Sequence, residues 1–188
     1  MESTLNASLD TLWMAARGGD AGATERLFRE ARPMLLRWAL ALGSDPDTAG
    51  DLVQETLWAA HRSLDRFDPS RGALEGWMAT ILVRRLRNRR RARARRSRLL
   101  AAVRRDSPVS VAPDAGAVEA RVTLARLLGS LTDRQREVVA LYEIAELGAE
   151  KTARILGLTP AGVRSIARDA RRRLRDTARA TAPMESSR

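Results

Sequence analysis

Cysteine is absent from the 188 residues, and histidine occurs once, at His61. The first absence excludes disulfides and thiolate metal sites. The second leaves little for acid–base chemistry, since a lone histidine on a helix is more often a structural or surface residue than a catalyst. No glycine-rich phosphate loop, metal-ligand cluster or Ser/His/Asp arrangement is present. Asp45, Asp47 and Asp51 form a small acidic group that helix capping and a solvated face explain. No catalysis and no cofactor are therefore expected. Aromatic residues make up only 4% of the chain, so the core must come mainly from Leu, Ala, Val and Ile. No apolar run approaches the ~18 residues of a membrane span, and the opening MESTLNASLD lacks the basic start and apolar stretch of a signal peptide. A soluble, cytoplasmic protein without membrane insertion is expected.

What is abundant is arginine. The net charge is +11, and Lys151 is the only lysine. The charge is unevenly placed: residues 1–70 carry 7 Arg against 11 Asp and Glu, whereas residues 71–98 carry 11 Arg against one Glu. A basic segment beside an acidic one points to a polyanion partner and to a separate surface for something else. Arginine suits bidentate contact with phosphate and guanine.

Helical spacing dominates and strand alternation is missing. Leu9, Leu12, Trp13 and Ala16 mark a first helix ending at Gly18-Gly19. Asp20 caps a second, which Pro33 is expected to interrupt or restart. Asp45 and Pro46 open a third, with the stripe Ala49, Leu52, Val53, Leu57, Ala60 and Leu64. Phe67–Gly72 reads as a loop. A fourth helix from about Ala73 buries Leu74, Trp77, Met78, Ile81, Leu82 and Leu86, then enters the arginine run. Residues 99–117 read as a linker. Helical spacing returns at Val118, Val122 and Leu124, and Thr132–Gln135 fits a capping box ahead of a helix burying Val138, Val139, Leu141, Tyr142 and Ile144. The predicted fold is all-α: two small helical domains, 1–98 and 118–178, joined by a flexible linker, with a disordered tail over 179–188.

Two stretches carry the functional signal. Residues 84–98 hold ten arginines, anchored at their start by the apolar stripe of the fourth helix, and read as a nucleic-acid face. Residues 149–175 read as a helix-turn-helix. Gly157 permits the sharp stop of the first helix, Thr159 caps the second and Pro160 suits its first position. Ile155, Leu156, Val163, Ile166, Ala170 and Leu174 form the inward stripe. Arg164, Ser165, Arg168, Arg171 and Arg172 fall outward, the early ones toward base edges and the later ones toward phosphates. Asp169 is expected to pair with Arg172 or Arg173.

These segments, in this order and spacing, make the chain resemble an extracytoplasmic-function (ECF) sigma factor over roughly residues 8–178. Asp51–Leu57 (DLVQETL) is similar to the family's region 2 motif. This implies that Asp51, Gln54 and Glu55 dock on the β′ clamp helices of core RNA polymerase. Phe67–Gly72 with Leu74 and Trp77 resembles the loop and helix that capture the melted −10 element. That implies DNA contacts by Asp68, Ser70, Arg71 and Trp77, continuing along the basic helix through Arg84, Asn88 and Arg91. Trp77 also fits the core stripe. Leu131–Val138 resembles the opening of region 4, which meets the β flap. Gly162–Ser165 lies where the −35 recognition helix begins, with Thr159 at its cap. The resemblance implies promoter DNA and core polymerase as partners, an anti-sigma factor as inhibitor, and transcription initiation as the function. The competing reading is a helix-turn-helix regulator that never docks on polymerase.

Overall fold

The computed structural model describes residues 2–101 and 126–181. The linker reading from 102 to 117, the stripe Val118, Val122 and Leu124, and the tail beyond Thr181 lie outside these residues. Every regular element described is helical. The first domain contains α1 (Glu2–Arg17), α2 (Ala21–Ala41), α3 (Pro46–His61), two short 3₁₀ turns (Leu64–Arg66 and Pro69–Arg71) and α4 (Leu74–Ala101). The second has a helical stretch at 126–130, then α5 (Asp133–Val138), a π-helical turn (Val139–Ile144), α6 (Gly148–Leu156) and α7 (Pro160–Thr181). Helices α4 and α7 each run three residues past the boundaries read from sequence, to Ala101 and Thr181.

Local chemistry sets most of these ends. The Asp20 carboxylate accepts from the Ala23 N–H at 2.9 Å and opens α2, and Asp45 accepts from Thr48 N–H at 3.0 Å ahead of Pro46. These bonds satisfy orphan donors of a first turn. The capping box at Thr132 is complete: Gln135 N–H donates to Thr132 Oγ1 at 3.2 Å and Thr132 N–H to Gln135 Oε1 at 3.0 Å.

Two expectations are corrected. Pro33 does not interrupt α2, which is continuous from Ala21 to Ala41. An interior proline costs about 3 kcal/mol, but Ala31, Met34, Leu35 and Trp38 on the same face are all buried, and each large apolar side chain returns about 1.5–3 kcal/mol. Ile144, read as core, is 43% exposed. The reason is the π turn: Ala145 N–H bonds to Ala140 C=O at 2.9 Å, so an extra residue enters the turn and rotates Ile144 out of the stripe.

One hydrophobic cluster joins the domains. It contains Leu35, Leu42, Leu52, Leu82 and Leu86 from the first, and Val138, Leu141, Leu156 and Val163 from the second. At its edge, Trp13 packs edge-on to Phe67, with centroids 4.8 Å apart, and donates its Nε1–H to the Leu64 carbonyl at 3.3 Å.

Candidate nucleic-acid interface

The turn between α6 and α7 is built as the sequence demands. Gly157 sits at φ 68° and ψ 48°, the left-handed region where a Cβ is unfavourable. Leu158 N–H then reaches back to Ala153 C=O at 2.9 Å. Thr159 Oγ1 accepts from Gly162 N–H at 3.1 Å and caps α7. Ala153, Leu156, Val163, Ala167 and Ala170 are buried, and Ile155, Ile166 and Leu174 are partly so. The small side chains Ala153 and Ala167 let the two helices approach.

Thr159, Arg164, Ser165 and Arg168 are exposed on the first turns of α7. Arg164 and Arg168 lie one turn apart, and neither makes an ion pair among the described residues. The later arginines are engaged. Arg171 donates to Glu143 at 3.0 Å, which holds its guanidinium above the usual range. Arg172 pairs with Asp169 at 2.9 Å, as expected.

The arginine run of α4 is divided three ways. Along one face, Trp77, Thr80, Arg84, Asn88 and Arg91 follow at helical spacing, the last four exposed; Arg91 donates to Asn88 Oδ1 at 2.7 Å. A second group is spent on α3: Arg89 donates to Glu55 at 2.7 Å and lies 3.8 Å from Asp51. A third turns to the second domain. Arg87 grips Glu137 with two bonds of 2.8 and 2.6 Å, and Arg90 donates to the Leu42 carbonyl at 2.6 Å. The sequence groups all ten as one basic run; 100° per residue sends neighbours in different directions, so only some of them share a face.

The loop ahead of α4 is organised by Asp68. Its Oδ1 accepts from Ser70 N–H at 3.0 Å and Ser70 Oγ–H at 2.7 Å, and these bonds lower its pKa. Asp68 and Ser70 thus hold the turn that presents Arg71. Trp77 is half-buried: its ring lies 5.5 Å from Phe67, and the residue lines a cleft of about 540 Å³. Trp77 thus packs against the core while part of it stays open to the cleft. The same cleft brings Arg66 and Arg71 of the loop close to Lys151 and Arg154 of α6, a convergence of four cations that spans both domains.

Asp51, Gln54 and Glu55 lie on the solvent side of α3. Beside them is a residue that sequence reasoning missed. Trp58 is 62% exposed and lines a groove of about 420 Å³ with Phe28, Val53, Gln54, Leu57 and His61. The Phe28 and His61 rings meet edge-on at 5.8 Å. The available signal was its position: Trp58 falls off the stripe Leu52, Val53, Leu57 and Ala60, so a large apolar side chain had nowhere to go but outward. A tryptophan displayed beside apolar groove walls suits a protein partner.

The chain is similar to proteins of one family. Residues 27–96 match the model of Sigma-70 region 2 and residues 127–176 that of Sigma-70, region 4. The chain is 31% identical over 157 residues to the ECF RNA polymerase sigma factor SigM of Mycobacterium tuberculosis H37Rv, covering 83% of this chain and 77% of that one. It is 31% identical over 158 residues to the RNA polymerase sigma factor CnrH of Cupriavidus metallidurans, covering 77% and 80%. Among solved structures, CnrH in complex with the cytosolic domain of CnrY aligns with a TM-score of 0.71 at 28% identity, over 93% of this chain and 99% of that one. The sigma factor RpoE bound to the anti-sigma factor NepR, from Bartonella quintana, gives 0.68 at 27%, over 84% and 97%.

Proposed function

Because the chain belongs to the ECF RNA polymerase sigma factors and directs polymerase to promoters, we propose how its surfaces divide that work. The N-terminal half of α7 enters the major groove of the −35 element. Arg164, Ser165 and Arg168 face base edges, Thr159 sits at the phosphate entry, and Arg171 and Arg172 follow the backbone. The face of α4 carrying Trp77, Arg84, Asn88 and Arg91 receives the −10 region. There the exposed part of the Trp77 ring offers a stacking surface for an unpaired base and the arginines offer charge to the strand. Asp68 and Ser70 shape the loop so that Arg71 reaches the same strand. Asp51, Gln54 and Glu55, with Trp58 and its groove, take the β′ clamp helices; the start of α5 takes the β flap. The two domains act as the binding units and the residues between Ala101 and Val118 as their tether, which raises the effective concentration of the second once the first is bound.

The protein acts as a stoichiometric initiation subunit in the cytoplasm, with no chemistry of its own. Among the described residues no helix is long and apolar enough to cross a membrane. An anti-sigma factor is the expected inhibitor, by analogy with RpoE and CnrH, whose structures hold NepR and CnrY. The regulator reading leaves the region 2 match without a role.

One observation carries this division: two exposed basic faces, on α4 and α7, stand apart from an apolar groove on α3. The test is run-off transcription on genomic fragments with core polymerase, with and without the chain. Start sites that depend on the chain are expected. Specific duplex binding without any initiation would overturn it.

A further inference from the structure

We propose that the cleft between the loop ahead of α4 and helix α6 binds a free nucleoside triphosphate, its phosphates held by Arg66, Arg71, Lys151 and Arg154 and its base laid against Trp77.

The first observation is the charge. Two cations come from the loop and two from α6, and all four line one cleft of about 540 Å³. None of them forms an ion pair among the described residues, although Arg87, Arg89 and Arg171 each find a carboxylate. Asp68, the one acid on the wall, is already bonded by Ser70 and lies near Arg71. Four cations against one carboxylate leave an excess of positive charge. Like charges gathered in this way repel. A compact polyanion seated between them removes the repulsion and gains charge-assisted hydrogen bonds.

The second observation is the wall between the charges. Phe67, Ala73, Trp77 and Ile155 give it an apolar side, and Trp77 is only half-buried there. A cleft with an apolar wall and a few convergent polar groups suits a small ligand, and an aromatic ring suits a flat base. Gly76 keeps the space free. It lies in the first turn of α4, and a Cβ there would meet nothing within 4 Å. Glycine in a helix is less favourable than alanine. No neighbouring atom demands it at this position; room in the cleft does.

Together the two observations select the occupant. A nucleic-acid strand spreads its charge, one per about 3.4 Å of its length. A triphosphate tail gathers its charges at one end of one base, as the cleft gathers four cations beside one ring. Arg71 and Trp77 are shared with the face proposed for the −10 strand, so nucleotide and strand exclude each other; this consequence alone rests on the reading above. Lys151 and Arg154 have no part in that reading.

The test is titration calorimetry on the full chain with ATP, inorganic triphosphate and adenosine, without polymerase or promoter. ATP is expected to bind as a single equivalent, about tenfold or more tighter than either fragment. Lys151→Glu with Arg154→Glu should weaken it about tenfold. Gly76→Leu should weaken it too, with the charge unchanged. Circular dichroism checks that the variants fold; should the α6 pair lose helix content, Lys151→Gln with Arg154→Gln is read in the same way. Arg26→Glu with Arg37→Glu removes as much charge from exposed positions of α2 and should leave ATP binding as it is. Inorganic triphosphate binding as tightly as ATP, several equivalents bound per chain, or equal weakening by the α2 and α6 pairs would reduce the cleft to a general attraction for anions and overturn the site. Displacement of a labelled −10 single strand by ATP separates the two readings. A strand still bound at saturating ATP sinks the shared use of Arg71 and Trp77 alone, whereas ATP without affinity for the chain sinks the nucleotide site alone.

Discussion

Asp45 shows how much one side chain can settle. Its carboxylate closes the first turn of α3, and the bonds from Thr48 hold its pKa below the ordinary 3.8. A folded-state pKa below the unfolded one means that the stabilisation is complete above the unfolded value and fades as pH falls through the folded one. Asp45→Ala should cost about 1 kcal/mol, read as a lower midpoint in urea near neutral pH, and the gap from wild type should shrink in strong acid. On α7, Arg168 is exposed one turn beyond Arg164 and makes no ion pair among the described residues. Arg168→Ala should weaken binding to a −35 duplex by about 1–3 kcal/mol if it reads a base bidentately; equal binding by both proteins would move the recognition register elsewhere. Trp58→Ala should loosen the complex with core polymerase by about 1–2 kcal/mol while leaving the unfolding midpoint nearly unchanged, because the ring is 62% exposed. Similar loss in both measurements would make Trp58 a structural residue.

At the scale of elements, α4 is the instructive case. Its arginines were legible as a group but their partners were not. Arg89 faces α3, Arg87 and Arg90 face the second domain, and Arg84 and Arg91 face solvent. Removing Arg84 and Arg91 together should lower the salt slope of DNA binding by about 1.4–1.8, two phosphate contacts' worth. Removing Arg89 and Arg90 should act chiefly on stability, since both are tied to neighbouring helices. A slope unchanged by the first pair would assign that face to solvent. Helix ends, by contrast, were readable wherever a local signal sufficed: Asp20, Asp45-Pro46, Thr132–Gln135 and Gly157-Leu158-Thr159-Pro160 each specify a cap within a few residues. Continuous α2 through Pro33 and the π turn after α5 were not readable, because the packing of a whole face decides them and no nearby residue announces it.

For the whole molecule, the all-α class and the helix-turn-helix were visible in periodicity, and the family in the order of short motifs. The seam between domains was hidden. Glu137 reads as an ordinary solvent residue of a short helix, and nothing near it in sequence points to Arg87. Contacts fifty residues apart are set by how completed helices pack, so they surface only in three dimensions. The same holds for the four cations around the loop cleft, two from each domain.

The Arg89–Glu55 pair has a wider consequence. It bridges α3 and α4, the helices proposed to carry the docking surface and the DNA face, and on that proposal it would couple the two binding events. A polymerase group that claims Glu55 leaves Arg89 uncompensated and adds a positive charge to α4. An anion that claims Arg89 frees Glu55 in turn, and thermodynamics requires the two effects to be equal. Holoenzyme assembly and promoter grip would then be rungs of one ladder, each step raising the footing of the next.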